Sequence, residues 1–353
     1  MKHLQSLSLL FSGILLLTSC NHQENNDTGK QLGSLHISKS KPEHGDQLQL
    51  SYKSSDTISS EKTEGYVYYI VNENIYPQDL ELRDSADVYL ATVKVPDSVT
   101  ALAFNFRTND RNDTNDKKGY AVNIYDADGN PVAGSESSLA YFYEYPGSSL
   151  GIQVKKDSLL AAYKSDITAH PELKNGFWGS RYAQALYAND KEAAQKFTDA
   201  QIAEISKKDT LSEEDYIQLN SLYSSVQEKA KSDSVKNIIA NKFPKNRISQ
   251  QGTYMFFRQK NDLEQKEKIF NEYQQSVGEN GMYKDAMLAD LANSYLSEGK
   301  LDKFYSYTDK ISDKSAKASA YNNAAWSLYQ ENKNLDEAAN ISKKSVDLIA
   351  EEK

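Results

Sequence analysis

Cysteine is almost absent: Cys20 is the only one in 353 residues. With a single thiol the chain holds no internal disulfide, no Cys-x-x-Cys redox pair and no thiolate metal site. Histidine is nearly as scarce, with five residues at 3, 22, 36, 44 and 170, and none pair at metal-ligand spacing. His36 and His44 fall in a strand and the turn after it, where solvated or half-buried side chains are the ordinary reading. Basic charge is also short. Lys and Arg total 41 against 50 Asp and Glu, a net charge of −9, and without a basic stripe to neutralise phosphates a nucleic-acid partner is excluded. There is no Gly-x-Ser-x-Gly elbow, no His-Glu-x-x-His and no Gly-rich phosphate loop. Paired carboxylates such as Glu213-Glu214-Asp215 stand at a helix start, where they complement the helix dipole. No catalytic residue, no metal and no cofactor is therefore expected.

What is present begins with a short apolar run. Lys2 and His3 precede a leucine-rich stretch, residues 4–17, broken by Ser6, Ser8, Ser12 and Gly13. It falls short of the about 20 residues that span a bilayer and fits a cleavable signal peptide over residues 1–19. The stretch ends in Leu17-Thr18-Ser19-Cys20, which resembles the lipobox of bacterial lipoproteins. That resemblance implies cleavage before Cys20 and acylation, palmitate included, of its sulfur and amine. Each buried lipid methylene contributes about 0.8 kcal/mol, so several chains on one residue make a stable membrane anchor. Acylation also consumes the only thiol. Residues 20–32 read as a polar, flexible tether. Asn21 rather than aspartate follows the cysteine, so the inner-membrane retention signal of some bacteria is missing. The expected location is the outer membrane of a Gram-negative cell, facing the periplasm or the surface.

The remaining roughly 330 residues are enough for two domains, and their hydrophobic periods differ. Residues 33–150 carry short alternating runs between turn signals, at 34–38, 47–52, 66–71, 88–95, 101–106, 120–125 and 139–145. In Ala101-Leu102-Ala103-Phe104-Asn105-Phe106 the large apolar side chains fall on one face. Pro42-Glu43-His44-Gly45-Asp46 and Asp126-Ala127-Asp128-Gly129-Asn130-Pro131 are turn chemistry. Seven such strands predict an antiparallel β-sandwich of immunoglobulin-like size. From about residue 155 to the end, Gly and Pro thin out and apolar residues recur three and four apart, as in Ile217, Leu222 and Val226. This predicts helical hairpins, with Asp157, Ser212 and Thr198 as helix caps. The fold class is thus α+β multidomain, a sandwich followed by an all-α region.

An internal repeat marks the end of the helical region. Leu291-Ala292…Tyr295…Leu301-Asp302 is echoed 34 residues later by Ala325-Trp326…Tyr329…Leu335-Asp336, and 34 is the tetratricopeptide period. Residues 282–350 resemble that family, although Phe304 stands where it usually has alanine and Trp326 occupies a usually small position. The resemblance implies small residues, Ala292 and Ala325, at close helix contacts, with Tyr295 and Tyr329 filling the groove between helices.

Several motifs offer ligand chemistry. Asp110, Asp113 and Asp116, three apart, offer oxygens to calcium, but not at EF-hand spacing and with no bidentate glutamate behind them. A solvated, Asx-rich hairpin loop is the favoured account. Asp126 to Asn130 reads as a tight hairpin with Gly129 at positive φ. Among 24 tyrosines, Tyr66, Tyr68 and Tyr143 are candidate sugar-stacking residues, with Tyr66 and Tyr68 on one strand face and Tyr69 on the other. Residues 104–120 are similar to the Asn/Asp-rich loop of starch-binding sandwich modules, without the tryptophan those carry. Six Asp-Ser/Thr-aliphatic tripeptides place candidate O-glycosylation on Thr57, Ser85, Ser98, Ser158, Thr210 and Ser234; they look like the sequon of some Gram-negative envelope proteins.

The order of lipobox, sandwich and helical region, with Gly119-Tyr120…Tyr125-Asp126-Ala127-Asp128-Gly129-Asn130-Pro131-Val132 and Asn322-Asn323-Ala324-Ala325-Trp326…Asn334-Leu335-Asp336, resembles the front part of envelope lipoproteins that end in a thioredoxin-like disulfide reductase. The resemblance implies a following domain with Cys-x-x-Cys, a pair these residues do not contain. Three functions stay open: a non-catalytic scaffold binding a protein or glycan, the anchoring and recognition part of a thiol-disulfide oxidoreductase, and a glycan-binding accessory lipoprotein.

Overall fold

In the computed structural model the described residues are 27–54, 63–109 and 111–350. Cys20 with its signal peptide, Thr57 and Asp110 lie outside them. Among the described residues the first unit carries ten strands: β1 (Lys30–Leu32), β2 (Leu35–Ile37), β3 (Gln47–Tyr52), β4 (Glu64–Val71), β5 (Asn74–Leu80), β6 (Arg83–Ser85), β7 (Val88–Lys94), β8 (Ala101–Thr108), β9 (Arg111–Asp113) and β10 (Tyr120–Asn123). They form two antiparallel sheets, ordered β1-β2-β3-β7-β6 and β10-β8-β4-β5, with β9 added to β8. Leu35, Leu48, Leu50 and Val93 of the first sheet share one core with Val67, Leu102, Phe104 and Phe106 of the second. Across the sheets, the rings of Tyr52 and Phe106 stack 3.7 Å apart at 4°, and such pairs add roughly 0.5–1.5 kcal/mol to the burial itself.

The alternation in β8 does face Leu102, Phe104 and Phe106 into this core. The opposite face is closed as well, since Ala101, Ala103 and Asn105 are buried. Its cover corrects one expectation. Residues 139–145 do not form a strand; they continue helix α1 (Ser135–Phe142) into a π-helical turn, Tyr143–Gly147. Gly134, at φ 84°, turns the chain into this helix. The helix then lays Ser135, Ser137, Ser138 and Ala140 inward, small side chains that approach an alanine-lined sheet closely. Ser138 Oγ and Thr100 Oγ1 bond at 2.8 Å, and the Ser138 hydroxyl donates to the Asn72 carbonyl at 3.2 Å. The alternation of Leu139, Tyr141, Tyr143 and Tyr145 resembles a strand in sequence, but the buried residues of the segment are Ala140 and Phe142 between them.

The chain divides into compact units at Gln153 and Val154. The second is helical: α2 (Lys156–Ala169), α3 (Phe177–Asn189), α4 (Lys191–Ser206), α5 (Glu213–Ser225), α6 (Lys229–Lys242), α7 (Arg247–Arg258), α8 (Leu263–Val277), α9 (Lys284–Ser297), α10 (Leu301–Thr308), α11 (Lys314–Gln330) and α12 (Leu335–Ala350). Neighbouring helices with short connections pack pairwise, α9 on α10 and α11 on α12 among them. Ile205, Leu222, Val235 and Ile239 make one core. Phe257, Phe270, Leu288, Leu291, Phe304, Ala325 and Ile341 belong to a larger one, reaching from α7 to α12.

Of the expected caps, Ser212 forms a full capping box with Asp215: the Asp215 N–H donates to Ser212 Oγ at 3.2 Å, and the Ser212 N–H to Asp215 Oδ2 at 2.9 Å. Lys208 reinforces this carboxylate, and its hydrogen bond, followed by that from Ser212, holds the Asp215 pKa below the ordinary range. Asp157 lies inside the first turn of α2 rather than at its cap, and Thr198 is buried inside α4. Thr198 reads as a cap in sequence because a polar β-branched residue followed by Asp199 resembles a helix entry. Asp190 supplies the cap of α4 instead, its side chain accepting the Ala193 N–H at 2.9 Å. No helix among the described residues is long and apolar enough to cross a membrane.

Candidate functional site

The acidic loops spend their oxygens internally. Asp113, at the end of β9, is 5 % exposed. Its Oδ2 accepts the hydroxyls of Tyr52 at 2.7 Å and Tyr120 at 2.8 Å. Its Oδ1 accepts the Asn115 N–H at 3.0 Å. Burial first, then the hydrogen bond to Asp113, raises the Tyr120 pKa far above that of free tyrosine. In the other loop, Asp126 Oδ1 takes the N–H groups of Asp128 and Asn130 at 3.0 and 2.9 Å, with Gly129 at φ 76°. These are turn-closing bonds of an Asx type. Among the described residues no group of three His, Cys, Asp or Glu side chains gathers where a metal ion fits.

The three tyrosines singled out for sugar stacking occupy different settings. Tyr66 and Tyr68 share the outer face of β4, paired with Asn105 and Ala103 of β8. The Tyr66 ring lies under the Arg107 guanidinium at 4.9 Å, and its hydroxyl donates to Glu64 at 3.0 Å. Tyr68 is half-buried, 5.3 Å from the Phe142 ring, which is in turn 5.8 Å from Tyr143. The helical course of residues 135–147 therefore brings Tyr143 toward Tyr68 through Phe142. Burial pushes the Tyr143 hydroxyl up to about 12.

The five described sequon hydroxyls are all exposed: Ser85 at the end of β6, Ser98 in the turn after β7, Ser158 in the first turn of α2, Thr210 before α5 and Ser234 on α6. Val99 and Val235, which follow two of them, are buried, so the neighbouring hydroxyl is held outward on fixed backbone.

Among the described residues the most open aromatic surface lies on α11, where the 34-residue repeat predicts a groove-filling Tyr329. Tyr295 is buried and stacks on Tyr307 at 5.5 Å and 14°; Tyr307 donates to Glu267 of α8. Burial, then the hydrogen bond to Glu267, pushes Tyr295 up to about 12. Its repeat equivalent Tyr329 does not fill a groove: it is 63 % exposed, and Trp326 is 58 % exposed. The difference lies in the neighbours, since α8 covers Tyr295 and no described residue plays that part for Tyr329. Their rings sit 5.7 Å apart at 33° over a hollow of about 510 Å³, walled by Asn322, Ala325, Leu335, Ala338, Ala339 and Ser342. A larger hollow of about 680 Å³ lies among α6, α7 and α8, with Phe256, Gly252 and Tyr273 next to Asp233, Lys236 and Glu272. The charge pattern of the two differs, and only the first presents two open rings. A scan against protein-family models returns no match for the chain, and neither does a search of curated proteins.

Proposed function

We propose that the protein is a membrane-anchored envelope lipoprotein, tethered through acylated Cys20, that acts as a non-catalytic binding module for a protein or glycan partner. In this reading the two sheets make an immunoglobulin-like sandwich, and the helix pairs make a tetratricopeptide-like stack. The pooling of both sheets into one core supports the first. For the second, Leu301 and Leu335 open the second helices of their pairs 34 residues apart. The observation that carries the function is a surface suited to holding a partner: Trp326 and Tyr329 stand open to solvent over a hollow between two packed helices. Exposed aromatics of this size are what binding sites and interfaces concentrate. In the same reading Thr57, Ser85, Ser98, Ser158, Thr210 and Ser234 carry glycans on the exported protein.

The test has two arms. In cells, Cys20→Ala is expected to abolish acyl labelling and to release the protein from membranes; a variant that stays membrane-bound removes the anchor. In vitro, the purified full-length protein is titrated calorimetrically with purified envelope glycans and envelope proteins. Saturable binding of a defined component supports the module, and absence of saturable binding across both sets refutes it.

A further inference from the structure

We infer that the hollow between α11 and α12 is a binding site for a neutral saccharide, with Trp326 and Tyr329 stacking on its pyranose rings. This rests on the binding reading above and specifies the ligand class. The first observation is charge. All eight lining residues, Asn322, Ala325, Trp326, Tyr329, Leu335, Ala338, Ala339 and Ser342, are uncharged. The neighbouring hollow at the α9–α10 and α11–α12 turns is lined by Glu298, Glu331 and Lys333, and the one at α6–α8 by Asp233, Lys236 and Glu272. A charged ligand meets no counter-charge in the Trp326 hollow.

The second observation is unspent hydrogen bonding. Asn322, Trp326 and Tyr329 follow one another at four and three residues along one face of α11, and Leu335, Ala339 and Ser342 do the same on α12. Among the described residues, the amide of Asn322, the indole N–H of Trp326 and the hydroxyls of Tyr329 and Ser342 make no hydrogen bond. A purely apolar partner face would bury these groups unpaired, which is costly. A sugar ring meets both demands, because its C–H face packs on an aromatic ring while its hydroxyls reach polar groups at the rim. Two rings tilted by 33° suit a bent or helical chain of residues better than a flat one. The small side chains of Ala325, Ala338 and Ala339 in the lining keep this space open between the two helices.

Tryptophan itself supplies the readout, because the chain has two: Trp178 is 4 % exposed and Trp326 is 58 % exposed. Acrylamide therefore quenches mainly Trp326. The full-length protein is titrated with maltohexaose, cellohexaose, mannohexaose and galactohexaose, with hexagalacturonate as the charged control. At least one neutral oligosaccharide is expected to protect Trp326 from quenching saturably. Calorimetric affinity for it is expected to fall at least tenfold in Tyr329→Ala and in Ala339→Phe, which fills the hollow while leaving both rings, and to survive Tyr66→Ala. Circular dichroism verifies that each variant is folded. Failure of all four neutral sugars to protect Trp326 at 10 mM, or equal affinity in Ala339→Phe, overturns the inference. Sugar binding abolished by Tyr66→Ala alone also overturns it, as does a purified protein that protects Trp326 when no sugar does; either of these leaves the binding-module reading standing.

Discussion

Replacing Asp113 by alanine tests whether the acidic loop is a structural bolt or a metal site. Three donors converge on this buried carboxylate: the hydroxyls of Tyr52 and Tyr120 at 2.7 and 2.8 Å and the Asn115 N–H at 3.0 Å. Alanine leaves two buried hydroxyls without an acceptor, each costing about 1–3 kcal/mol, and removes one turn-closing bond of about 1 kcal/mol. The expected loss is about 3–7 kcal/mol, or roughly 12–28 °C in the melting temperature of a unit this size. Asp113→Asn keeps an acceptor and is expected to lose less than half as much, whereas Tyr120→Phe removes one donor for about 1 kcal/mol. Because Tyr52 and Tyr120 share one oxygen, their Phe variants are expected to be non-additive. Calorimetry of the full-length protein resolves the loss. Both tryptophans, Trp178 and Trp326, belong to the helical unit, so fluorescence monitors that unit as an internal control and is expected to stay put. A loss below 1 kcal/mol refutes the reasoning. So does a wild-type transition that falls with EDTA and recovers with calcium, since the carboxylate would then be serving a cation.

Three further outcomes follow from the packing. Phe104→Ala, at a ring 1 % exposed between the sheets, is expected to cost about 3–5 kcal/mol, whereas Trp326→Ala is expected to stay within about 0.5 kcal/mol of wild type; equal urea midpoints for the two would contradict the burial pattern. Ser212→Ala removes the capping box of α5 and is expected to lower helical-unit stability by about 1 kcal/mol in fluorescence-monitored urea unfolding. Burial pushes Tyr143 and Tyr295 up to about 12 in the folded chain, against about 10 when unfolded. A raised folded pKa gives stability that is complete below pH 10 and is lost as pH climbs from 10 to 12. Urea midpoints are therefore expected to fall between pH 9 and pH 11.5 in both units, and flat midpoints would refute this.

Strand by strand, the alternating pattern was sufficient where one side of the segment meets a core, as in β3 with Leu48, Leu50 and Tyr52 buried and Gln47 and Gln49 exposed. It misleads at 139–145, because the helix that runs into this segment packs through the small residues Ser135, Ser137, Ser138 and Ala140, and small residues leave no periodic hydrophobic mark. The alternation does not mark the short strands β1, β6 and β9, because three residues at a sheet edge carry too little period to be read, nor the seven-residue β5, which carries Pro77 and is exposed at five of its positions.

Composition and spacing alone determined the chemistry that this chain is denied and the order of its parts. One cysteine leaves no dithiol, and the change from a period of two to one near four divides strands from helices. Gly129 and Ser212 fixed their turn and cap through local geometry that needs no distant partner. Tertiary structure decided which aromatic residues face water. Tyr295 and Tyr329 hold equivalent places in the repeat, yet one is sealed by Tyr307 and Glu267 and the other stands open beside Trp326. Exposure depends on what lies across from a residue, and that is set by chain segments far away in sequence.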